Sequence, residues 1–235
     1  MPLNVDRTIS PDDVMFQGNL DHYFSCGESA LRILLEAIEL SGRGTPARIL
    51  DFGAGAGRVT RWLKAAFPAS SISCCDVREG DMAFLRALYD VEAWTVGTDL
   101  DALQIPDQYD LIWVGSVITH LSETKTRTLI NRLLSVCDPG GLLVLSFHGQ
   151  NAVERQEGAT LKYIDDDRWK AIKGGYSARG YGYADYEGQD GYGISVCTPA
   201  WMSDLVSALP GSRLVLLKPC AWDGHHDVVA IQKMA

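Results

Sequence analysis

The apolar positions along the chain change their spacing several times. From Glu28 the apolar residues recur at a helical spacing on one face, and Gly42 is placed to end that helix. Short apolar runs then alternate with amphipathic ones, which predicts βαβ units in a buried, mainly parallel sheet with right-handed crossovers. The predicted strands are 48–52, 71–76, 92–96, 109–116 and 141–148, and the helices between them include 59–66, 80–90 and 129–134.

This alternation stops at residue 149. Residues 151–198 contain six of the nine tyrosines and eight glycines without a long periodic run, so we interpret them as an insert. Within it, the acidic stretch 165–170 predicts the start of a helix. A further helix is predicted from Pro199, followed by strands at 212–219 and 227–233. The connection between these two strands is too short for a parallel crossover, so we expect them to be antiparallel.

The composition of the chain argues against two classes of binding partner, nucleic acids and membranes. The 235 residues carry a net charge of -9, and an acidic chain without a basic cluster repels a phosphate backbone, so no nucleic-acid partner is expected. The six cysteines form no CxxC pair, which favours reduced thiols in a cytoplasmic protein. No apolar run approaches the length of a membrane span, and residues 1–25 lack the apolar core of a signal peptide, so no membrane partner is expected either.

The stretch "RILDFGAGAGRV" joins the first predicted strand to a helix through Gly53, Gly55 and Gly57. A glycine-rich turn lets a ligand approach bare backbone, and the helix that follows supplies N–H groups. The sixth position counted from Gly53 is Arg58, so the loop departs from the dinucleotide fingerprint and reads D-x-G-x-G-x-G. Asp76 ends the second predicted strand, where a carboxylate can accept hydrogen bonds from ribose hydroxyls.

Several segments together resemble the class I S-adenosylmethionine-dependent methyltransferases. "ILDFGAGAGRVTRWL" is similar to that family's first motif, and Asp76 in "CCDV" matches its ribose-binding acid. "VGTDLDALQIPDQYDLI", with Asp99, is similar to the adenine-binding segment. "YDLIWVGSVITHL" and "DPGGLLVLSFHG" resemble the fourth and fifth strands of the family with their flanking turns. The predicted closing hairpin has the topology typical of the same family.

This resemblance implies a doubly wound seven-stranded sheet in the order 3-2-1-4-5-7-6, with an antiparallel last strand and helices on both faces. It also implies an N-terminal arm and helix at 1–44, which we expect to close over the cofactor through Tyr23 and Gly27. A methyltransferase domain follows at 45–235, with the substrate insert at 151–198. The cofactor would be S-adenosylmethionine, and its product S-adenosylhomocysteine. The implied cofactor-binding residues are Asp51, Gly53, Ala54, Gly55, Gly57, Asp76, Val77, Asp99, Leu100, Gly115 and Ser116.

The candidate catalytic residue is His120, which follows the fourth predicted strand at the rim where the acceptor should lie. A neutral imidazole there can take a proton from a hydroxyl nucleophile, and the alternative is that His120 only fixes its loop by hydrogen bonds. Candidates for substrate contact are His148, Tyr181, Tyr183 and His225, and the insert tyrosines Tyr176, Tyr186 and Tyr192 could help to wall the same pocket. No metal is predicted, because neighbouring strand residues such as His225 and His226 point to opposite faces.

The substrate prediction rests on absent patterns. The segment after "GSVITH" lacks the Asn/Asp-Pro-Pro-aromatic element associated with methylation of base or amide nitrogens. The Pro219–Cys220 pair lies in the sixth predicted strand, so it does not match the nucleophile of cytosine methyltransferases. We therefore expect methyl transfer to a small molecule, with oxygen as the favoured acceptor. Two alternatives remain: a non-catalytic module that binds S-adenosylmethionine, and a nicotinamide-dependent oxidoreductase.

Overall fold

The computed structural model describes residues 3–234, and its centre is a seven-stranded sheet. The strands are β1 (Arg48–Phe52), β2 (Ser71–Asp76), β3 (Glu92–Thr95), β4 (Tyr109–Val114), β5 (Cys137–Phe147), β6 (Tyr181–Asp185), β7 (Gly193–Cys197), β8 (Ser212–Trp222) and β9 (His226–Lys233). The helices are α1 (Leu20–Ser41), α2 (Thr60–Ala66), α3 (Glu79–Leu88), α4 (Glu123–Val136), α5 (Gln150–Glu157), α6 (Asp166–Arg179) and α7 (Pro199–Ser207).

The strand order of the large sheet is β3-β2-β1-β4-β5-β9-β8. Strands β6 and β7 form a separate two-stranded sheet within the insert, so this order is the predicted 3-2-1-4-5-7-6. Strand β9 is antiparallel to both β5 and β8, whereas the other pairs in the sheet are parallel. The predicted fold is therefore confirmed. The order reverses between β1 and β4, and ligands of such sheets bind beyond the carboxyl ends of the strands at that point.

The alternation of side chains along the strands divides the core into two layers. In β1, Ile49 packs with α1, α2 and α3 on one face, while the adjacent Leu50 packs with α4 and α7 on the other. In β4, Trp113 and Val114 are divided in the same way. Burial on both faces explains why these strands read as nearly continuous apolar runs in the sequence. None of the helices within residues 3–234 is long and apolar enough to cross a bilayer.

Helix α1 begins earlier than the sequence pattern predicts. Its first residue is Leu20 rather than Glu28, because the side chain of Asn19 caps it by accepting a hydrogen bond from the His22 N–H at 3.1 Å. The helix ends at Gly42 as predicted, with that glycine in the left-handed region. The arm that precedes α1 is fixed to the domain by the buried Arg61, whose guanidinium donates hydrogen bonds to two backbone carbonyls of the arm.

The insert is a packed unit rather than an extended loop. It contains α5, α6 and the β6–β7 hairpin, and it has a small apolar core of its own that includes Trp169 and Ile172. Asp165 caps α6 by accepting hydrogen bonds from two backbone N–H groups, so the predicted helix start in this stretch is confirmed. The rest of α6 was not predicted from the sequence, because its apolar residues do not lie on one face of the helix.

Candidate functional site

The loop after β1 depends on glycine at two positions for different reasons. Gly53 has a φ of +75°, and a Cβ on it would lie 2.4 Å from a methyl group of Val117. Gly55 has a φ of +52°, but a Cβ on it would meet no atom within 4 Å. Gly53 therefore serves close packing of the loop. Gly55 presents bare backbone to open space, which is the arrangement that a ligand approaching the backbone requires.

Asp76 at the end of β2 is held against the same loop. Its Oδ2 accepts a hydrogen bond from the Gly55 N–H at 2.9 Å, and its Oδ1 accepts one from the Arg78 N–H at 3.2 Å. These bonds fix the carboxylate at the carboxyl edge of the sheet, beside the glycine loop. Each oxygen keeps a further lone pair for a hydroxyl donor.

Asp51 lies beneath the loop and is 1% exposed. Its Oδ2 accepts a hydrogen bond from the hydroxyl of Thr60 at 2.7 Å. Burial raises the pKa of the Asp51 carboxyl to about 7, although the Thr60 hydrogen bond acts in the opposite direction. The carboxyl group is therefore only partly ionised at neutral pH in the protein without ligand.

We expect the replacement of Asp51 with asparagine to remove a pH-dependent loss of stability. The native state keeps the carboxyl proton up to about pH 7, whereas an ordinary aspartate loses it near 3.8. The contribution of the protonated Asp51 carboxyl to stability is therefore fully present below pH 3.8, the ordinary pKa of aspartate. This contribution is lost as the pH rises through about 7, the pKa in the folded protein. Asparagine stays neutral and still accepts from Thr60, so the Asp51→Asn protein should exceed the wild type in stability at pH 8 by on the order of 2 kcal/mol.

The measurement is the melting temperature of both ligand-free proteins between pH 4 and pH 8. The difference between them should grow with pH, while the exposed Asp99→Asn variant should follow the wild type. A difference that stays constant over this range would contradict a raised pKa for Asp51.

These groups open into one cavity of about 680 Å³ at the carboxyl ends of β1, β2 and β4. This size is within the range usual for small-molecule and cofactor sites. Nine of the residues predicted to bind the cofactor line it: Asp51, Gly53, Ala54, Gly55, Asp76, Val77, Leu100, Gly115 and Ser116.

Two predicted cofactor residues do not line the cavity. Gly57 packs inward, and a Cβ on it would lie 2.5 Å from Leu85 of α3. Asp99 is exposed, and its carboxylate accepts the Asp101 N–H at 3.0 Å and so stabilises its own turn. The neighbours of Asp99, Thr98 and Leu100, line the cavity instead.

The arm contributes wall residues that the sequence pattern did not identify. Asp13, Val14 and Met15 line the cavity, and Val14 is 62% exposed although it is apolar. The predicted arm contacts are elsewhere. The Tyr23 hydroxyl donates to the Asp13 carboxylate at 2.6 Å, and Gly27 packs against the Arg58 carbonyl, so neither residue lines the cavity. The apolar run Val14–Phe16, directly after Asp12 and Asp13, is the sequence signal that could have indicated this wall.

His120 lies in a 3-10 turn, Ile118–His120, and lines the cavity. Its Nδ1 is 2.9 Å from the carbonyl oxygen of Gly193, which can only accept, so Nδ1 carries the proton and donates. The Nε2 atom of the neutral ring is then left as an acceptor. Burial lowers the pKa of His120, and the Gly193 hydrogen bond only partly opposes this shift, so the imidazole is neutral at pH 7.

The turn between β6 and β7 forms the remaining wall. Gln189 to Tyr192 line the cavity, and the Tyr192 ring stacks on His120 with centroids 4.9 Å apart. Lys125 of α4 holds this turn by donating to the Gly191 carbonyl at 2.8 Å. The insert therefore does reach the cavity, and it does so through its hairpin turn.

The two tyrosines predicted to contact substrate lie elsewhere. Tyr181 is 3% exposed, and its hydroxyl bonds with Thr126 and donates to the Leu121 carbonyl, both at 2.9 Å. Tyr183 pairs with the Asp185 carboxylate. Both tyrosines point to the same face of β6 and pack against the main core, since alternate residues of a strand share a face. The structure therefore does not bring these two residues to the cavity.

His148 and His225 do not line the cavity either, and they gather with His226 into a separate cluster. Burial lowers the pKa of His148 to about 3 and that of His225 to about 4, so both rings are neutral at pH 7. The prediction that His225 and His226 point apart is wrong, because their ring centroids are 4.4 Å apart. Strand β9 begins only at His226, and His225 belongs to a turn with left-handed backbone at Asp223 and Gly224, so strand alternation does not apply to it.

Comparison with known proteins agrees with this arrangement. Residues 49–141 match a family model described as a methyltransferase domain. The chain is 34% identical over 133 residues to a malonyl-(acyl-carrier protein) O-methyltransferase of Methylococcus capsulatus (strain ATCC 33009 / NCIMB 11132 / Bath), in an alignment that covers 55% of this chain and 44% of that protein. The chain spans about half the length of the curated relatives it matches.

Two solved structures show the same fold at low identity. A crystal structure of a protein from Pyrococcus horikoshii OT3 superposes with a TM-score of 0.65 at 14% identity and covers 97% of both chains. The 1,6-didemethyltoxoflavin-N1-methyltransferase of Burkholderia thailandensis, solved with 1,6-didemethyltoxoflavin and S-adenosylhomocysteine, superposes with a TM-score of 0.60 at 17% identity and covers 90% of this chain and 80% of its own.

The sheet topology and the glycine loop after β1 define a Rossmann-like fold of the methyltransferase type. The methyltransferase-domain match over residues 49–141 and the methyltransferase relatives support the class that the motifs predicted, a class I S-adenosylmethionine-dependent methyltransferase. This assignment favours the methyltransferase interpretation over a nicotinamide-dependent oxidoreductase.

Proposed function

We propose that this protein transfers a methyl group from S-adenosylmethionine to an oxygen atom of a small-molecule acceptor. The observation that carries the proposal is the placement of His120 in the same cavity as the glycine loop and Asp76. One cavity thus contains a glycine loop and a carboxylate suited to binding a nucleoside, together with a neutral imidazole whose Nε2 can accept a hydrogen bond. The hairpin turn of the insert lines the same cavity.

The residues of the cavity fit the proposed cofactor. Gly55 offers backbone with open space in front of it, and Asp76 offers carboxylate oxygens suited to ribose hydroxyls. Val77 and Leu100 supply apolar surface for a planar base. When bound, the cofactor supplies an electrophilic methyl group on a sulfonium. The chain's own task is to align the acceptor with that carbon and to exclude water.

His120 is proposed as the general base. Nε2 of His120 would take the hydroxyl proton of the acceptor as its oxygen attacks the methyl group that bound S-adenosylmethionine would supply, with S-adenosylhomocysteine as the leaving group. The Gly193 carbonyl holds the ring in the tautomer that this step requires. Tyr192, stacked on the ring, limits its rotation and places an aromatic surface beside the acceptor.

We further propose that residues 1–44 act with the domain at 45–235 as a cover for the cofactor. Val14 and Met15 reach the cavity from the arm, and the Arg61 guanidinium fixes the arm by donating to the Asp6 and Thr8 carbonyls. The acceptor is proposed to be a small molecule because the arm and the insert line a cavity of about 680 Å³, a size usual for small-molecule sites. The relative from Methylococcus capsulatus is named for an acyl-carrier-protein substrate, so a carboxyl oxygen is among the acceptor atoms to be tested.

The test is calorimetric titration with S-adenosylhomocysteine, S-adenosylmethionine and NAD, followed by a screen of small hydroxylic and carboxylic acceptors that detects S-adenosylhomocysteine formation. We expect binding of the first two ligands and turnover with an oxygen acceptor. Binding of NAD alone would overturn the cofactor assignment. Cofactor binding with turnover only on nitrogen acceptors would overturn O-methylation, and binding without turnover on any acceptor would favour a non-catalytic binding module.

A further inference from the structure

Three imidazoles converge outside the proposed methyl-transfer cavity. His148 follows β5, whereas His225 and His226 come from the turn between β8 and β9. One ring nitrogen from each lies within 4.8 Å of the others, and among residues 3–234 no carboxylate or thiol joins the group. His148 and His226 are buried and His225 is half-buried, so the cluster has a polar interior and one side from which an ion could enter.

Each of the three rings has one nitrogen engaged by an oxygen. Nδ1 of His148 donates to the Ser195 carbonyl at 3.2 Å, and Nδ1 of His226 faces the Ser146 hydroxyl at 3.4 Å. Nε2 of His225 is hydrogen-bonded to the Tyr163 hydroxyl. One nitrogen per ring is then available to a metal. Histidine ligands of metals are usually oriented in this way, by a hydrogen bond from the second ring nitrogen to an oxygen.

We propose that His148, His225 and His226 bind one divalent transition-metal ion, of the class represented by Zn²⁺. Three neutral imidazoles suit Zn²⁺ and the neighbouring late first-row ions, whereas Mg²⁺ and Ca²⁺ require oxygen ligands. Three protein ligands leave a fourth tetrahedral position for water. A small closure of the cluster is needed, because nitrogens bound at about 2.0–2.1 Å to one tetrahedral ion are closer together than 4.8 Å.

The proposed ion would connect three parts of the fold. The cluster joins the end of β5 to the β8–β9 turn, and through Tyr163 it joins both to the insert. It also abuts the proposed cofactor cavity: Ser146, which faces His226, accepts a hydrogen bond from the Ser116 N–H at 2.8 Å, and Ser116 lines that cavity. We therefore assign the ion the role of holding these three parts of the fold together, and its binding can be measured without methyl transfer.

The test uses the full chain without an affinity tag, treated with a chelator and then titrated with ZnCl₂ by calorimetry. We expect one Zn²⁺ per chain, no comparable binding of Mg²⁺, and tetrahedral d–d absorption bands when Co²⁺ is substituted. His225→Ala should weaken Zn²⁺ binding by more than about 100-fold, and Tyr163→Phe, which removes only the oxygen partner of a ligand, by about 10- to 100-fold.

Two control variants distinguish the loss of a metal ligand from a disturbance of the surrounding turn or insert. His22→Ala removes an exposed histidine whose Nε2 lies 3.5 Å from Asp223 in the same turn, so it perturbs the turn without removing a ligand. Tyr176→Phe removes a tyrosine hydroxyl of the insert that bonds Gln150 instead. Both should bind Zn²⁺ like the wild type. Absence of Zn²⁺ binding by the wild type, or wild-type affinity in His225→Ala, would overturn the site. Neither result depends on methyltransferase activity.

Discussion

Replacement of Asp76 with alanine is expected to weaken the binding of S-adenosylhomocysteine by about 10- to 100-fold. A hydrogen bond to a charged group contributes about 1.5–3 kcal/mol, and about 1.4 kcal/mol corresponds to a tenfold change in affinity. The variant loses the proposed bonds to ribose. It also loses the acceptor for the Gly55 N–H, which holds the glycine loop in its conformation. The dissociation constant from calorimetry measures both losses together.

Two variants separate these losses. Asp76→Asn keeps one oxygen that can accept from Gly55 but removes the charge, so its affinity should lie between those of the wild type and the alanine variant. Asp101→Asn removes an exposed carboxylate at the same edge of the sheet and should leave affinity unchanged. If Asp76→Ala binds S-adenosylhomocysteine as tightly as Asp101→Asn does, the assignment of Asp76 as the ribose acid is wrong.

The fold class was predictable because strands that are buried on both faces of a parallel sheet consist of short, nearly continuous apolar runs, which are visible in the sequence. The alternation of strands and helices, with the short connection before β9, was sufficient to predict a mainly parallel sheet that closes with an antiparallel pair. The strand order came from the resemblance of the motifs to a known family, and the structure has that order. The insert was not predictable in the same way. The start of α6 is visible in its acidic cap, but the helix is only weakly amphipathic, and β6 and β7 are short strands paired only with each other.

The residues of the candidate site also differ in how well the sequence predicted their positions. Residues fixed by local chain geometry, such as Gly53 and Gly55 beside Asp76, lie where the motif places them. Residues that reach the cavity from a distant segment depend on tertiary packing. Composition therefore indicated a tyrosine-lined pocket without indicating which tyrosine lines it. The packing of the insert turns Tyr181 into the core and brings Tyr192 to the cavity.

The histidine cluster shows how one turn residue can reverse a prediction. The alternation rule would hold if both His225 and His226 belonged to β9. The left-handed backbone at Asp223 and Gly224 instead keeps His225 in the turn, and β9 begins at His226. His225 is thereby rotated toward its neighbour and toward His148.

Replacement of His120 with glutamine is expected to lower kcat by about 10²- to 10⁴-fold on an oxygen acceptor, the range usual for loss of a general base. Glutamine can still donate to the Gly193 carbonyl, so the turn should keep its position and the affinity for S-adenosylhomocysteine should be unchanged. The pair of measurements, kcat with a screened acceptor and the dissociation constant by calorimetry, separates a catalytic role from a role in fixing the loop.

The pH profile gives an independent check on the same residue. A base must be neutral to act, and burial lowers the pKa of His120 from its ordinary value of 6.5. The value of kcat/KM for the wild type should therefore fall only below pH 6.5 and stay level above it. Protonation of the His120 ring at low pH removes the lone pair on Nε2 that accepts the proton. This acidic limb should disappear in His120→Gln. If the variant keeps both the wild-type kcat and the wild-type limb, His120 is only a hydrogen-bonding residue of its turn, and deprotonation of the acceptor must come from another group or from the solvent.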